Sequence, residues 1–310
     1  MASTCGDYEI KSTLGFGGNA VVKLVERGGQ EYAMKIFEPH PTERDELIKK
    51  TQEEMAVVQN LNIDAIPKYH EFVESATWTK KNGQTREASY LVMDNCQGVE
   101  LIEFLNQSKR QDDVFVRYIF HQIATALHQL HRAGIAHRDI KPENIILTES
   151  FDIKLIDLGY GISLSGRNQD GFNRTTLGTP MYMSPEICDK RQYQGSDADL
   201  FAFGVTLMVA RLVAYPFNTA TMTDEKYKLL QGADSHLFWK TYKKTVPGLS
   251  DSFMQLITSM LQFNPASRPT MADVLGHEWM RGDVVTRDQF VDHCTEFMEK
   301  AKADRAAEQG

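Results

Sequence analysis

Residues 15–22 of this 310-residue chain, Gly-Phe-Gly-Gly-Asn-Ala-Val-Val, carry the first pattern that could do chemistry. They read G-x-G-x-x-A-x-V, with Ala20 where a nucleotide-binding loop would carry a third glycine. Glycines at this spacing let the backbone approach a phosphate closely, but they also suit a tight turn between two strands. The stretch alone does not decide between the two. Three further stretches follow it in order: Tyr-Ala-Met-Lys, ending on Lys35; His-Arg-Asp-Ile-Lys-Pro-Glu-Asn over 137–144; and Asp-Leu-Gly over 157–159. The first and third lie in or just after apolar, strand-like runs. A lysine in an apolar strand needs a partner for its charge.

With Ser184-Pro185-Glu186 added, the chain resembles a eukaryotic protein kinase of the Ser/Thr branch over roughly residues 8–281. Five motifs in family order are far more specific than any one of them. The resemblance implies an α+β, bilobal protein-kinase fold. A small β-rich N-lobe (about 8–94) would carry one main helix and precede a larger, mostly α-helical C-lobe (about 98–281), with a C-terminal helical extension over 282–310. It also implies transfer of the ATP γ-phosphoryl group to Ser or Thr hydroxyls of protein substrates, with ATP and Mg²⁺ as cofactors. The alternative is a pseudokinase scaffold that binds ATP without transfer. The residues that separate the two, Lys35, Asp139, Asn144 and Asp157, are all present. His277–Met280 is similar to the calcium/calmodulin-dependent group, and Met181–Glu186 to the NIMA-related group.

The resemblance assigns roles residue by residue. Phosphoryl transfer in protein kinases is a matter of positioning and charge stabilisation. Asp139 would accept the substrate hydroxyl's proton or orient that hydroxyl, and Lys141 would stabilise charge on the transferred group. Lys35 would hold the α- and β-phosphates, with Glu54 as its partner and Glu53 as the fallback. Asn144 and Asp157 would supply oxygen ligands for Mg²⁺, a hard cation. Leu14, Gly15, Phe16, Gly17, Gly18, Asn19, Ala20, Val22 and Ala33 would surround the nucleotide. Met93 would guard the back of the adenine pocket, and the backbones of Asp94 and Cys96 would pair with the adenine edge. Glu100 would lie near the ribose and substrate. The Ala20 methyl is tolerable at negative φ and strained at positive φ. Leu158 stands in place of the family's usual Phe and stays apolar. Tyr160 leans toward serine over threonine as acceptor.

The segment Gly159–Met183 is polar and glycine-studded, as a mobile regulatory segment should be. Thr175 matches the activating phosphosite, with Thr176 its neighbour, and a phosphate there would pair with Arg138. An upstream activating kinase or autophosphorylation would supply that phosphate. Thr179 would face Asp139 and Lys141. Glu186 would pair with Arg268, and Asp199 would accept backbone bonds from the catalytic loop. Glu100 and Glu143 suggest an acidic patch for a basic residue upstream of the acceptor. Val209 stands where basophilic kinases add another acid, so a strict double-Arg requirement is not expected.

The elements that must position these groups are read from periodicity. Residues 8–38 break into β-prone runs at glycine turns, notably Gly28-Gly29. Residues 42–60 turn helical on Leu47, Ile48, Met55 and Val58. Runs 68–75 and 89–94 are strand-like, and Asn82-Gly83 between them signals a hairpin. After Gly98 the pattern is helical, over 99–107 and again over 114–134, where Gly134 is the expected cap. Residues 200–210 are too short to span a bilayer and read as a buried core helix. In the tail, Phe290, Val291, Cys294, Phe297, Met298 and Ala301 share one helical face, which predicts packing on the large lobe ahead of an autoinhibitory role. The tail is not basic, so calmodulin is not indicated as a partner.

A formal charge of −8 and a pI near 5.6 disfavour a dedicated nucleic-acid binder. Cys5, Cys96, Cys188 and Cys294 are scattered without metal-ligand spacing, as free thiols in a reducing compartment would be. No basic-then-apolar leader opens the sequence and position 2 is Ala, so neither secretion nor myristoylation is expected. The expectation is a cytoplasmic protein, with the nucleus left open, and no membrane partner.

Overall fold

The computed structural model describes residues 2–16, 20–37, 44–107, 112–165, 171–176, 178–246, 248–295 and 299. They fall into two compact units, one ending at Gln97 and the other starting at Gly98.

The first unit is a closed antiparallel barrel. Strands β1 (Ser3–Cys5), β2 (Tyr8–Phe16), β3 (Ala20–Arg27), β4 (Gln30–Phe37), β5 (Tyr69–Thr79) and β6 (Thr85–Asp94) run in the order β1-β2-β3-β4-β6-β5. Gly28 and Gly29 both have positive φ, which is what a two-residue hairpin turn of matching twist requires between β3 and β4. β1 corrects the expected start of the strand-rich region at residue 8. It pairs with β2 through Cys5↔Tyr8 and with β5 through Cys5↔Trp78, removing both free edges of the sheet. Three residues are too short to show a two-residue period, so this strand has no sequence signature. Burial in the barrel core pushes the Cys5 thiol up to about 12. β5 and β6 are also longer than the expected 68–75 and 89–94. A register shift between Val73 and Ala76 breaks the alternation and hides the continuation to Thr79. Helix α1 (Arg44–Val58) buries Thr51, Glu54 and Val58.

The second unit is mostly helical. It contains α2 (Leu101–Gln107), α3 (Asp113–Arg132), α4 (Pro185–Cys188), α5 (Gly195–Leu212), α6 (Glu225–Gln231), α7 (Ser235–Thr245), α8 (Asp251–Met260) and α9 (Met271–Gly276). Its strands β7 (Gly98–Glu100), β9 (Ile145–Thr148) and β10 (Ile153–Leu155) form one sheet, and β8 (Ile135–Ala136) pairs with β11 (Ile162–Ser163). β7 corrects the helical reading of 99–107, because the first residues of that run pair with β9 instead. Gly98 makes this possible: a Cβ there would lie 2.2 Å from the Leu147 carbonyl oxygen.

α5 is buried over nearly its whole length, with its apolar side chains packed between α3 and α8. α3 starts on Asp112, whose carboxylate accepts the Phe115 N–H, and ends just before Gly134, at φ +78°. Residues 287–295 form a further helix. Its Phe290 is fully buried against Phe115 (4.8 Å between ring centroids) and Tyr118 (4.4 Å), and Arg287 pairs with Asp152 at 3.1 Å. Phe297, Met298 and Ala301 lie outside the described residues. Among the described residues, no helix is long and apolar enough to cross a membrane.

Asp113 ties four segments of this unit together. It accepts from Arg211 Nε on α5 (2.7 Å), from Ser250 Oγ before α8 (2.7 Å) and from Trp279 Nε1 (3.0 Å). Arg211 is buried, so removing the carboxylate takes away the counter-ion that its guanidinium meets at 2.7 Å. Asp113→Ala is therefore expected to cost about 3 kcal/mol in urea-induced unfolding. A loss under about 0.5 kcal/mol, the level of an ordinary surface substitution, would show that the node is not stabilising.

Candidate active site

The second unit builds its site from a buried carboxylate outward. Asp199, on the second turn of α5, is fully buried. Its Oδ2 accepts the His137 N–H (2.8 Å) and the His131 Nε2–H (2.9 Å), and its Oδ1 accepts the Arg138 N–H (2.6 Å). The start of α5 lies tight against β8, since a Cβ on Gly195 would fall 2.4 Å from the Ala136 methyl. The carboxylate thus sits beneath the loop that leaves β8. His137 is also fully buried: its Nδ1 accepts the Asp139 N–H (3.3 Å), so its Nε2–H faces the Ile156 carbonyl (3.1 Å). Both ring nitrogens are engaged by the backbone, so the imidazole supports the loop.

Arg138 is held at φ +65°, a left-handed conformation that costs a branched or long side chain about 1 kcal/mol or more. Its Nη1 donates to Thr175 Oγ1 (3.1 Å) and to the Tyr193 hydroxyl (3.2 Å), and Tyr193 donates on to the Thr175 carbonyl (3.0 Å). A backbone bridge between Asn173 and Tyr193 completes this junction. Thr176 is exposed beside it.

One residue on, Asp139 Oδ2 accepts from Lys141 Nζ (2.9 Å) and Asn144 Nδ2 (2.7 Å). Lys141 Nζ also donates to Thr179 Oγ1 (2.8 Å), whose own contact to Asp139 Oδ1 is long, at 3.4 Å. Asp139 Oδ1 is therefore the less engaged oxygen of the carboxylate. Asn144 directs both bonds of its Nδ2 to Asp139, leaving Oδ1 as a free oxygen donor. The Ile156 N–H donates to the Asn144 carbonyl (2.9 Å), which sets Asp157 next in line after that tie. Asp157 has φ +60° and caps the turn Leu158–Tyr160, with Leu158 fully buried. An amide oxygen and a carboxylate are the donor types a hard divalent cation takes. No group of three or more His, Cys, Asp or Glu suited to a metal occurs among the described residues.

Two further acids frame the site. Glu186 makes a two-pronged ion pair with Arg268 (2.8 and 2.7 Å), and the guanidinium also caps the Gln262 and Asp197 carbonyls and lies over the Phe201 ring. Glu143 has a buried Oε2 with no hydrogen-bond partner. Burial, the Tyr215 hydroxyl and the nearby Glu143 charge together push the Tyr182 hydroxyl far above the usual tyrosine range. Val209 is buried in α5.

In the first unit, Lys35 lies on β4 between Val22 and Leu91, with its ammonium 5.9 Å from the Phe37 ring. Of the two acids on α1, Glu54 faces inward and accepts from the Tyr69 hydroxyl (2.6 Å), whereas Glu53 is exposed. Ala33 pairs with Met93 across β4 and β6. The Asp94 carboxylate takes the Lys68 N–H (3.0 Å) and His70 Nε2 (2.7 Å), and Cys96 follows half-buried. Gly15 pairs with Val22, and Leu14 and Phe16 are exposed. Ala20 opens β3 in an extended conformation opposite Phe37, so its methyl carries no left-handed strain. Gly17, Gly18 and Asn19 lie outside the described residues. Glu100 ends β7, opposite Ile146.

The family model described as "Protein kinase domain" matches residues 8–280. The chain belongs to the protein kinase domain family. Among curated relatives, this kinase domain is 31% identical over 279 residues to a maternal embryonic leucine zipper kinase of Danio rerio, covering 89% of this chain and 38% of the relative. It is 28% identical over 278 residues to CBL-interacting protein kinase 30 of Oryza sativa subsp. japonica (89% and 54%). It is likewise 28% identical over 281 residues to CBL-interacting serine/threonine-protein kinase 3 of Arabidopsis thaliana (90% and 59%). The chain spans between 38% and 59% of the length of these three relatives.

Sequence reasoning missed Tyr193. It lies 55 residues from Arg138 and 18 from Thr175, in a stretch without periodicity, so no local signal marks the phenol that joins them. For the Glu186–Arg268 pair of the kinase domain, truncating one partner strands a buried charge, whereas replacing both removes it. Glu186→Ala is expected to destabilise by about 3–5 kcal/mol in denaturant titrations. Glu186→Leu combined with Arg268→Met should cost less than that single change. A double variant worse than the single would mean that the ion pair itself, and not the uncompensated charge, dominates.

Proposed function

We propose that this protein is a Ser/Thr protein kinase that uses ATP and Mg²⁺. The observation that carries the reading is the Asp139 cluster: a carboxylate oxygen held by Lys141 and Asn144, its second oxygen nearly free, and the Thr179 hydroxyl beside both. Asp139 Oδ1 receives the proton of the acceptor hydroxyl as that oxygen attacks. Lys141 Nζ offsets charge on the transferred phosphoryl group, and Asn144 Oδ1 with Asp157 would hold the cation. Magnesium, when bound, neutralises charge shared between phosphate oxygens. In the first unit, β2, β3 and β4 with Lys35 are the nucleotide-holding elements, and Glu54 supports Lys35. Met93, Asp94 and Cys96 meet the adenine.

Thr175 is the regulatory phosphosite in this reading. Its hydroxyl already meets the Arg138 guanidinium, so a phosphate added there would find a cation in place. Arg138 neighbours Asp139 in sequence and shares its loop, which links the phosphosite to the base. The buried, unpartnered oxygen of Glu143 favours a substrate with a basic residue upstream of the acceptor.

The test is radiolabelled phosphate transfer from Mg-ATP to a basic Ser-containing peptide. Asp139→Asn should lower kcat by about 100-fold or more while ATP binding persists. Thr175→Val should lower the activity of protein whose loop has been phosphorylated and leave unphosphorylated protein little changed. Transfer that survives Asp139→Asn would remove that residue as the base. A wild-type protein with its loop phosphorylated that binds ATP and transfers nothing would establish the scaffold reading.

A further inference from the structure

A groove of about 840 Å³ runs between α7 and α8, and none of the residues placed in the active site lines it. Its floor is the Trp239 ring edge with Met254 and Thr258. That floor is rigid: Trp239 Nε1 donates to Thr258 Oγ1 (3.0 Å), and the ring packs edge-on against Phe238 and Phe253. One rim is basic. His236, Lys240, Lys243 and Lys244 all line the groove, and their spacing of four, three and one places them on one face of α7. Lys243 pairs with Asp251 on α8 (2.9 Å), whereas Lys240 and Lys244 have no ion-pair partner among the described residues.

This arrangement is not needed to fold α7. Buried Phe238 and Trp239 already anchor the helix, and like charges one turn apart oppose helix formation by roughly a few tenths of a kcal/mol. The chain as a whole is acidic, at −8, so a local ammonium stripe beside an apolar floor stands against its surroundings. An anionic guest would relieve the repulsion, and the floor would accept an apolar side chain.

We propose that the α7–α8 groove docks an acidic, amphipathic peptide segment of a partner protein, with carboxylates on Lys240 and Lys244 and an apolar side chain over Trp239 and Met254. A nucleic acid fits less well, because the stripe is short and the net charge of the whole protein repels a long polyanion. Docking of this kind works through electrostatic steering and weakens with salt. It requires no phosphoryl transfer, so its test is separate from that of the kinase reading.

The probe is a short fluorescein-labelled peptide of Glu with Leu and Phe interspersed, titrated with the full chain and followed by anisotropy at low and high salt. Lys240→Glu with Lys244→Glu is compared with Lys226→Glu with Lys228→Glu, an equal charge change on α6; thermal melts check that both variants are folded. Saturable binding that weakens about tenfold in the α7 variant only, and that a Lys-for-Glu peptide does not reproduce, is the expected result. Absence of saturable binding, or equal loss in both variants, would overturn the proposal. So would stronger α7-dependent binding of a single-stranded DNA oligonucleotide or of phosphatidylserine vesicles, either of which would assign the groove to another class of partner.

Discussion

A carboxylate buried without water must be surrounded by donors, and Asp199 meets that requirement with two backbone N–H groups and an imidazole. The loop over it has little freedom left. His137 and Arg138 must both turn their N–H groups downward onto one side chain, and the left-handed Arg138 follows from that demand. The turn then sends the guanidinium toward Thr175 and Tyr193, and brings Asp139 to Lys141, Asn144 and Thr179. Strain of order 1–3 kcal/mol at one residue is held in place by hydrogen bonds to a buried charge.

The rest of the second unit repeats the principle at other points. Asp113 gathers Arg211, Ser250 and Trp279, and Glu186 grips Arg268. Each joins segments far apart in sequence, from 82 residues for Glu186 and Arg268 to 166 for Asp113 and Trp279. Replacing such pairs with apolar residues would often cost little, so their role is best understood as fixing which segments meet. The apolar packing of α3, α5 and α8 supplies the stability, and the buried ions supply the register between elements. The first unit has a different solution. There β1 closes the sheet, and strand register is set by hairpins such as that at Gly28-Gly29.

The side chains of the Asp139 cluster were legible as a group because Asp139, Lys141 and Asn144 fall within six residues, a spacing that the proposed phosphoryl transfer would constrain. α5 was legible from its apolar run, and the β3–β4 and β5–β6 turns from Gly28-Gly29 and Asn82-Gly83. What escaped was non-local or very short. β1 and β7 are three residues each and exist only because distant strands accept them. Asp113 reads as an ordinary first-turn acid of an amphipathic helix, and nothing near it foretells Arg211 or Trp279. Hydrophobic periodicity reports which face of an element is buried, but it is silent about which polar head group will meet which. The choice between Glu53 and Glu54 shows the same limit. Spacing by analogy favoured Glu54, and it is the fold that turns this acid inward and its neighbour to solvent.

The most direct test is a crystal structure of Asp199→Asn. An amide can accept on one oxygen only and places an N–H₂ group against a backbone N–H, so one of the two loop bonds must be lost. The account predicts that Arg138 leaves its left-handed conformation and that Asp139 separates from Lys141 and Thr179 while α5 and the surrounding helices keep their packing. An unchanged Arg138, with the Asp139 cluster intact, would contradict the claim that the buried carboxylate sets the geometry of the loop.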